Sequence, residues 1–209
     1  MSKIVEIANA VECGKSKIVP ELVKQALEEG IEPIEILNKG MIDAMAVIGE
    51  KFKNNEIFVP EMLVAARAMK KGVEVVKPYL SDGSAAVKGK LVIGTVQGDL
   101  HDIGKNLVAM MIESAGFEVV DLGVDVSKDA FVEAAKDPSV KLVGLSSLLT
   151  TTMPSMRETV EALNALEERP NFKIMVGGAP ITAEFAKEIG ADIYTEDAAS
   201  AASAAKAAV

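Results

Sequence analysis

The sequence predicts a chain in two parts, a small bundle of four helices followed by an α/β domain on a five-stranded parallel sheet. Three observations lead there. Up to about residue 80, apolar residues recur at helical spacing and nothing reads as a strand. The texture changes once, near Ser81-Asp82-Gly83-Ser84-Ala85-Ala86. From residue 89 onward, short apolar runs alternate with helical stretches, and five such βα units imply parallel strands with helices on both faces. The domains are therefore drawn at 1–82 and 89–209, with a linker at 83–88.

In the first part, Ile4, Ala8 and Val11 mark one helix, and Ile18, Leu22, Val23 and Leu27 a second that stops at Glu29-Gly30. Residues 34–52 read as one long third helix through Ile36, Leu37, Met41, Met45 and Ile48. The fourth spans about 60–79, with Pro60 in its first turn, where a missing N–H costs nothing. Short connections between four helices make a bundle.

In the second part, 91–96 is a nearly continuous apolar run, as expected of a strand buried on both faces. A helix over 105–115 ends at Gly116, a normal C-terminal stop. Strands are expected at 117–122, 142–145, 173–176 and 193–194. Helices are expected at 128–136, 154–168, 183–189 and, in the Ala-rich end, 198–209. In such a sheet a ligand belongs at the C-terminal ends of the strands, where loops meet helix N-termini.

Composition narrows the function. Hydrophobic residues are 49% and charged residues 25%, the balance of a folded domain rather than a disordered chain. A net charge of −9 argues against nucleic acid, which needs a basic patch. The single cysteine, Cys13, excludes an internal disulfide and any multi-cysteine metal site. The first residues lack the apolar core of a signal peptide, and no run approaches the roughly 20 apolar residues of a membrane span. A cytoplasmic protein with no membrane or nucleic-acid partner is expected.

The chemistry centres on His101, the only histidine. It stands in Gly98-Asp99-Leu100-His101-Asp102-Ile103-Gly104, just past the first predicted strand. Residues i and i+2 of an extended loop point the same way, so Asp99 can accept a bond from one ring nitrogen and fix the tautomer. The other nitrogen then faces outward as a basic ligand, a common arrangement for a metal-bound histidine. Gly104 removes a side chain where the loop turns into a helix, room for a bulky planar ligand. Alone, such a histidine is more often an exposed or capping residue. Three other strand ends carry features that suit a ligand: Gly123, then Ser146-Ser147-Leu148-Leu149-Thr150-Thr151-Thr152, then Gly177-Gly178. Each glycine by itself is more often an ordinary turn.

Together, Asp99-x-His101-x-x-Gly104, Ser146-x-Leu148 and Gly177-Gly178 resemble the signature of cobalamin-binding domains. The chain is similar over nearly its whole length to corrinoid proteins of methyltransferase systems, related to the cobalamin module of methionine synthase. The resemblance implies a helical cap before a flavodoxin-like, Rossmann-like domain, and a cobalamin or related corrinoid as cofactor. His101 would be the axial ligand to cobalt, replacing the cofactor's own dimethylbenzimidazole in a base-off, His-on form. The loop Gly98, Asp99, Leu100, His101, Asp102, Ile103 and Gly104 would carry it. Gly123, Ser146, Leu148, Thr150, Gly177 and Gly178 would line the site, with the nucleotide tail in the sheet cleft. Thr152 falls where the family places a hydroxyl partner of the Asp–His pair; family members often carry Ser there, and Thr151 competes for the role. In the cap, Phe58 and Met62 fall in the segment that covers the methyl face. Read without the family, both are bundle core.

The implied role is a carrier subunit, not catalytic alone, cycling between Co(I) and methyl-Co(III). Its partners would be a substrate-specific methyltransferase, a second methyltransferase using tetrahydrofolate or coenzyme M, and a reductive activator. Rival readings are a cobalamin-binding sensor or regulator, a mutase subunit, and a flavodoxin-like or receiver domain without cobalt. The sensor typically brings cap Trp and a second His, and this chain has neither.

Overall fold

The computed structural model describes residues 2–80 and 89–209. The linker expected at 83–88 lies outside the described residues. By internal packing the chain divides into two compact units, one helical and one α/β.

The helical unit begins with α1 (Lys3–Glu12), where the Ser2 hydroxyl accepts from the Val5 N–H at the N-terminus. Next comes α2 (Val19–Glu28), with Pro20 in its first turn. The long third helix is continuous but not uniform: α3 (Pro33–Glu35) runs through a π-helical stretch (Ile36–Ile42) into α4 (Asp43–Lys53). A π turn holds one residue more than an α turn, so the apolar face drifts from the spacing that a straight helix would keep. The fourth, α5 (Val59–Val76), ends in a 3₁₀ turn (Lys77–Tyr79). Ile7, Val11, Val19, Val23, Met41, Met45, Ile48, Met62 and Met69 are buried, and aliphatic and thioether groups do the work that aromatics do elsewhere.

In the α/β unit, β1 (Lys90–Thr95), α6 (Ile103–Ser114), β2 (Glu118–Asp121), α7 (Lys128–Ala135), β3 (Val140–Ser146), α8 (Met153–Asn164), β4 (Lys173–Gly177), α9 (Ala183–Ile189), β5 (Ile193–Tyr194) and α10 (Ala198–Ala207) alternate as expected. Element limits shift by a few residues. Most visibly, α8 stops at Asn164, and the following residues form a 3₁₀ turn (Arg169–Asn171). The sheet is wholly parallel, with strand order β2-β1-β3-β4-β5. Its core packs Val92, Val143, Leu145, Ile174 and Val176 of the strands against Phe131, Met156, Val160 and Leu163 of the helices.

The strand order decides where a ligand can go. The chain winds one way from β1 to β2 and the other way from β3 onward. The loops after β1 and β3 therefore leave adjacent strands toward opposite faces and open a crevice between them. The loop after β1 carries His101. No helix among the described residues is long and apolar enough to cross a membrane.

Candidate corrinoid site

Asp99 anchors the site. Its side chain is fully buried, yet the carboxylate has a partner in every direction. Oδ1 accepts from the His101 backbone N–H at 3.0 Å and from His101 Nδ1 at 2.7 Å. Oδ2 accepts from the Leu148 N–H at 2.7 Å, the Leu149 N–H at 3.3 Å and Thr152 Oγ1 at 3.0 Å. Burial pushes the Asp99 carboxyl up, but the backbone N–H groups of His101 and Leu148, with the side-chain bonds from His101 and Thr152, outweigh it. They hold the group well below the usual carboxylate range. An ionised carboxylate only accepts, so Nδ1 of His101 must carry the proton and Nε2 the lone pair. The imidazole is 51% exposed, and Nε2 is the nitrogen left for a metal.

The loop is pinned at further points. Thr95 Oγ1 donates to the His101 carbonyl at 2.8 Å. The Gly98 N–H donates to Asp125 Oδ1 at 2.7 Å, and the Asp125 N–H donates to the Asp99 carbonyl at 2.9 Å. Asp125 achieves this with φ of 52°, a left-handed conformation that aspartate tolerates better than most residues. At the start of α6, the buried Lys105 ammonium binds both Asp121 oxygens, at 2.7 and 2.6 Å, and ties the helix to the end of β2. Asp121 Oδ1 also accepts from the Gly123 N–H at 2.8 Å.

The surroundings fit a flat apolar macrocycle. Leu100 and Ile103 flank the histidine at 71% and 85% exposure, and Leu148 and Leu149 are exposed on the loop that holds Asp99. Grouped on two loops joined through Asp99, these apolar side chains form the kind of exposed patch that marks a ligand or partner surface. A side chain built on Gly104 or on Gly123 would meet nothing within 4 Å, so both glycines border free space. Among the described residues no three His, Cys, Asp or Glu cluster as a metal cage. The one imidazole of the chain, His101, is the side chain here with a ring nitrogen open to a ligand.

Other expected residues take different roles. Thr152 is buried on Asp99 while Thr151 is exposed, which decides between them. Asp102 is exposed and bonds Asn106 one helical turn on. Ser146 closes β3, its carbonyl accepting from the Val96 N–H, and Thr150 is exposed in the turn before α8. Gly177 pairs with Ser146 in the sheet. Gly178 answers to the fold: with φ of 131°, an added Cβ would lie 1.8 Å from the Ser147 carbonyl oxygen. Phe58, expected as bundle core when read alone, is 66% exposed at the start of α5. Met62 is fully buried; it presents no surface to a ligand and belongs to the core. Sequence reasoning missed Thr95 and Asp125 as members of the site, and it placed Ser147 in the hydroxyl-rich loop without giving it a role. Their common signal is a polar residue at the end of an apolar strand or just beyond it.

A family model described as B12 binding domain matches residues 89–204, and a second of the same description matches residues 4–77. The chain is 45% identical over 202 residues to dimethylamine corrinoid protein 1 of Methanosarcina acetivorans, covering 96% of this chain and 94% of that one. This chain belongs to the corrinoid proteins. It is also 41% identical to trimethylamine corrinoid protein 1 of Methanosarcina mazei, over 99% of this chain and 96% of that one. Among solved structures, the methanol:cobalamin methyltransferase complex MtaBC of Methanosarcina barkeri matches with a TM-score of 0.86 at 30% identity. That match covers 98% of this chain and 78% of the other. As a member of this family the protein binds a cobalamin or related corrinoid, and the rim around His101 has the chemistry to receive one.

Proposed function

We propose that this protein is a methyl carrier whose His101 binds the cobalt of its corrinoid from below, in the base-off, His-on form. The observation that carries the reading is the Asp99 carboxylate. By accepting from Nδ1 it turns Nε2 into a donor of lone-pair density and holds the ring in one orientation. Leu100, Ile103, Leu148 and Leu149 offer the apolar bed, and the clearance at Gly104 and Gly123 admits the ring edge. Ser146, at the end of β3, borders the crevice, and Gly177 beside it ends β4; this end of the sheet suits the nucleotide tail. When bound, the corrinoid supplies a cobalt that accepts and gives up a methyl group, and the cofactor carries that chemistry. The protein's part is to ligate, orient and exclude water.

The relatives named for dimethylamine and trimethylamine, and the MtaBC match named for methanol, align with nearly the whole of this chain. That supports a carrier whose methyl source is chosen by a partner methyltransferase. A second methyltransferase, using tetrahydrofolate or coenzyme M, would take the methyl group away, and a reductive activator would restore adventitiously oxidised cobalt. The test is electron spin resonance of the apoprotein reconstituted with Co(II) cobalamin. Nitrogen superhyperfine splitting from one imidazole is expected, and it should vanish in His101→Ala. An unchanged spectrum in that variant would overturn the ligand assignment. The carrier role fails if the reduced holoprotein is methylated by no methylamine or methanol methyltransferase supplied with its substrate.

A further inference from the structure

Beyond the Asp99–His101 pair and its Thr152 partner lies a further buried polar group. Ser147 is fully buried, directly after β3, and its N–H donates to the Gly177 carbonyl at 3.1 Å. Its hydroxyl lies 2.8 Å from Thr152 Oγ1 and 3.3 Å from the Leu149 carbonyl. Thr152 Oγ1 in turn has Asp99 Oδ2 at 3.0 Å and the Leu149 carbonyl at 2.9 Å.

Each hydroxyl has one proton, and that decides the direction of the chain. A carboxylate oxygen 3.0 Å from Thr152 repels a bare lone pair, so the Thr152 proton belongs on Asp99. Thr152 then has only lone pairs to offer Ser147, and Ser147 must be the donor in the 2.8 Å bond. The run is therefore Ser147 to Thr152 to Asp99, with His101 Nδ1–H donating to the other carboxylate oxygen. Bonds in such a run polarise one another, each strengthening the next. Ser147 is also locked in place, because its carbonyl lies against Gly178, where a Cβ would meet it at 1.8 Å.

We propose that Ser147 is a positioning residue for the axial ligand: its hydroxyl fixes the Thr152 proton on Asp99 and so moderates how strongly His101 Nε2 donates to cobalt. The proposal rests on His101 being that ligand. The sign follows from the direction of the chain. Ser147 makes Thr152 a stronger donor to Oδ2, which draws charge from Oδ1 and weakens its pull on Nδ1–H. Without the hydroxyl, Oδ1 pulls harder and Nε2 becomes the better ligand. A better ligand would favour the oxidised cobalt it binds over the reduced one, so reduction would become harder.

The experiment compares Ser147→Ala, Thr152→Val and the double variant, each reconstituted with cobalamin, by spin-resonance-monitored reductive titration. Cooperative strengthening of roughly 10–30% of a charge-assisted bond corresponds to about a two-fold tighter axial bond in Ser147→Ala. For a one-electron couple that is a midpoint about 18 mV more negative. Ser147→Ala leaves no buried group without a partner, since Thr152 keeps Asp99, so the variant should fold and melt close to the wild type. In the Thr152→Val background, Ser147→Ala should change nothing, because the intermediary is gone. A Ser147→Ala midpoint that is unchanged or less negative, with wild-type superhyperfine splitting intact, overturns the role of Ser147 and leaves the ligand assignment standing. An equal shift in both backgrounds overturns it too, by showing that Ser147 acts without Thr152. A wild-type spectrum without nitrogen splitting overturns the ligand assignment and this proposal with it.

Discussion

Replacing Asp99 by asparagine keeps the shape of the side chain and changes only where protons sit, which makes Asp99→Asn the most informative single change. Five donors converge on the carboxylate: the His101 N–H and Nδ1–H on Oδ1, and the Leu148 N–H, Leu149 N–H and Thr152 hydroxyl on Oδ2. An amide has one acceptor oxygen and must turn its NH₂ to one side. Facing Leu148 and Leu149, it would strand two backbone N–H groups, at about 1–3 kcal/mol each. Facing His101, it strands one, provided the imidazole moves its proton from Nδ1 to Nε2. The second arrangement is cheaper. Adding the loss of charge assistance, Asp99→Asn should cost about 2–3 kcal/mol, roughly 10 °C in the melting temperature of a unit of this size.

More tellingly, His101 Nε2 then carries a proton and cannot bind cobalt. The variant should lose the imidazole superhyperfine splitting although His101 is untouched. In the cofactor-free protein the stability difference should also depend on pH with a definite sign. The folded pKa of Asp99 is depressed, so its contribution is fully present above the unfolded value near 3.9. It falls away as pH drops below that value toward the folded pKa. Wild type and variant should therefore converge as the pH falls below about 4. Retained splitting together with melting within a degree or two of the wild type would refute the account of Asp99.

Four further outcomes follow from the same geometry. In the apoprotein, His101→Ala should leave thermal stability nearly unchanged, because half the side chain is in solvent and Asp99 keeps four of its five donors; differential scanning calorimetry measures this. Asp125→Asn keeps both the acceptor for the Gly98 N–H and tolerance of φ at 52°, and should unfold in urea within about 0.5 kcal/mol of the wild type. Asp125→Ala loses both and should cost about 1–2 kcal/mol. Gly104→Ala meets open space near the start of α6 and should stabilise the apoprotein by up to about 1 kcal/mol while weakening cobalamin binding in a fluorescence-quenching or spectral titration. Gly178→Ala drives a methyl into the Ser147 carbonyl and should cost well over 3 kcal/mol.

Much of this protein was legible in its sequence because the relevant signals are local. Alternating apolar runs and Gly or Ser stops marked all five strands. The spacing of Asp99 and His101 put both on one side of a loop, and the structure joins them at 2.7 Å. The π-helical stretch at Ile36–Ile42 was not legible, since one extra residue in a turn leaves the apolar pattern nearly helical. Met62 shows the opposite difficulty: a position matched to a motif says nothing about which way its side chain turns, and packing buried it.

By itself, then, the sequence determined the order of elements, the single imidazole and the carboxylate two residues before it. Only the tertiary structure decided who completes the site. It chose Thr152 over the adjacent Thr151, put Ser147 rather than Ser146 behind it, and brought Asp125 across to clamp Gly98 and Asp99. Asp125 stands 27 residues from Gly98, and Thr152 stands 53 residues from Asp99. Strand order brings them within reach, because β3 pairs with β1 and the loop after each strand leaves at the same end of the sheet. Local spacing can place a histidine beside an aspartate. It takes the packing of one strand against another to decide which hydroxyl polarises that aspartate.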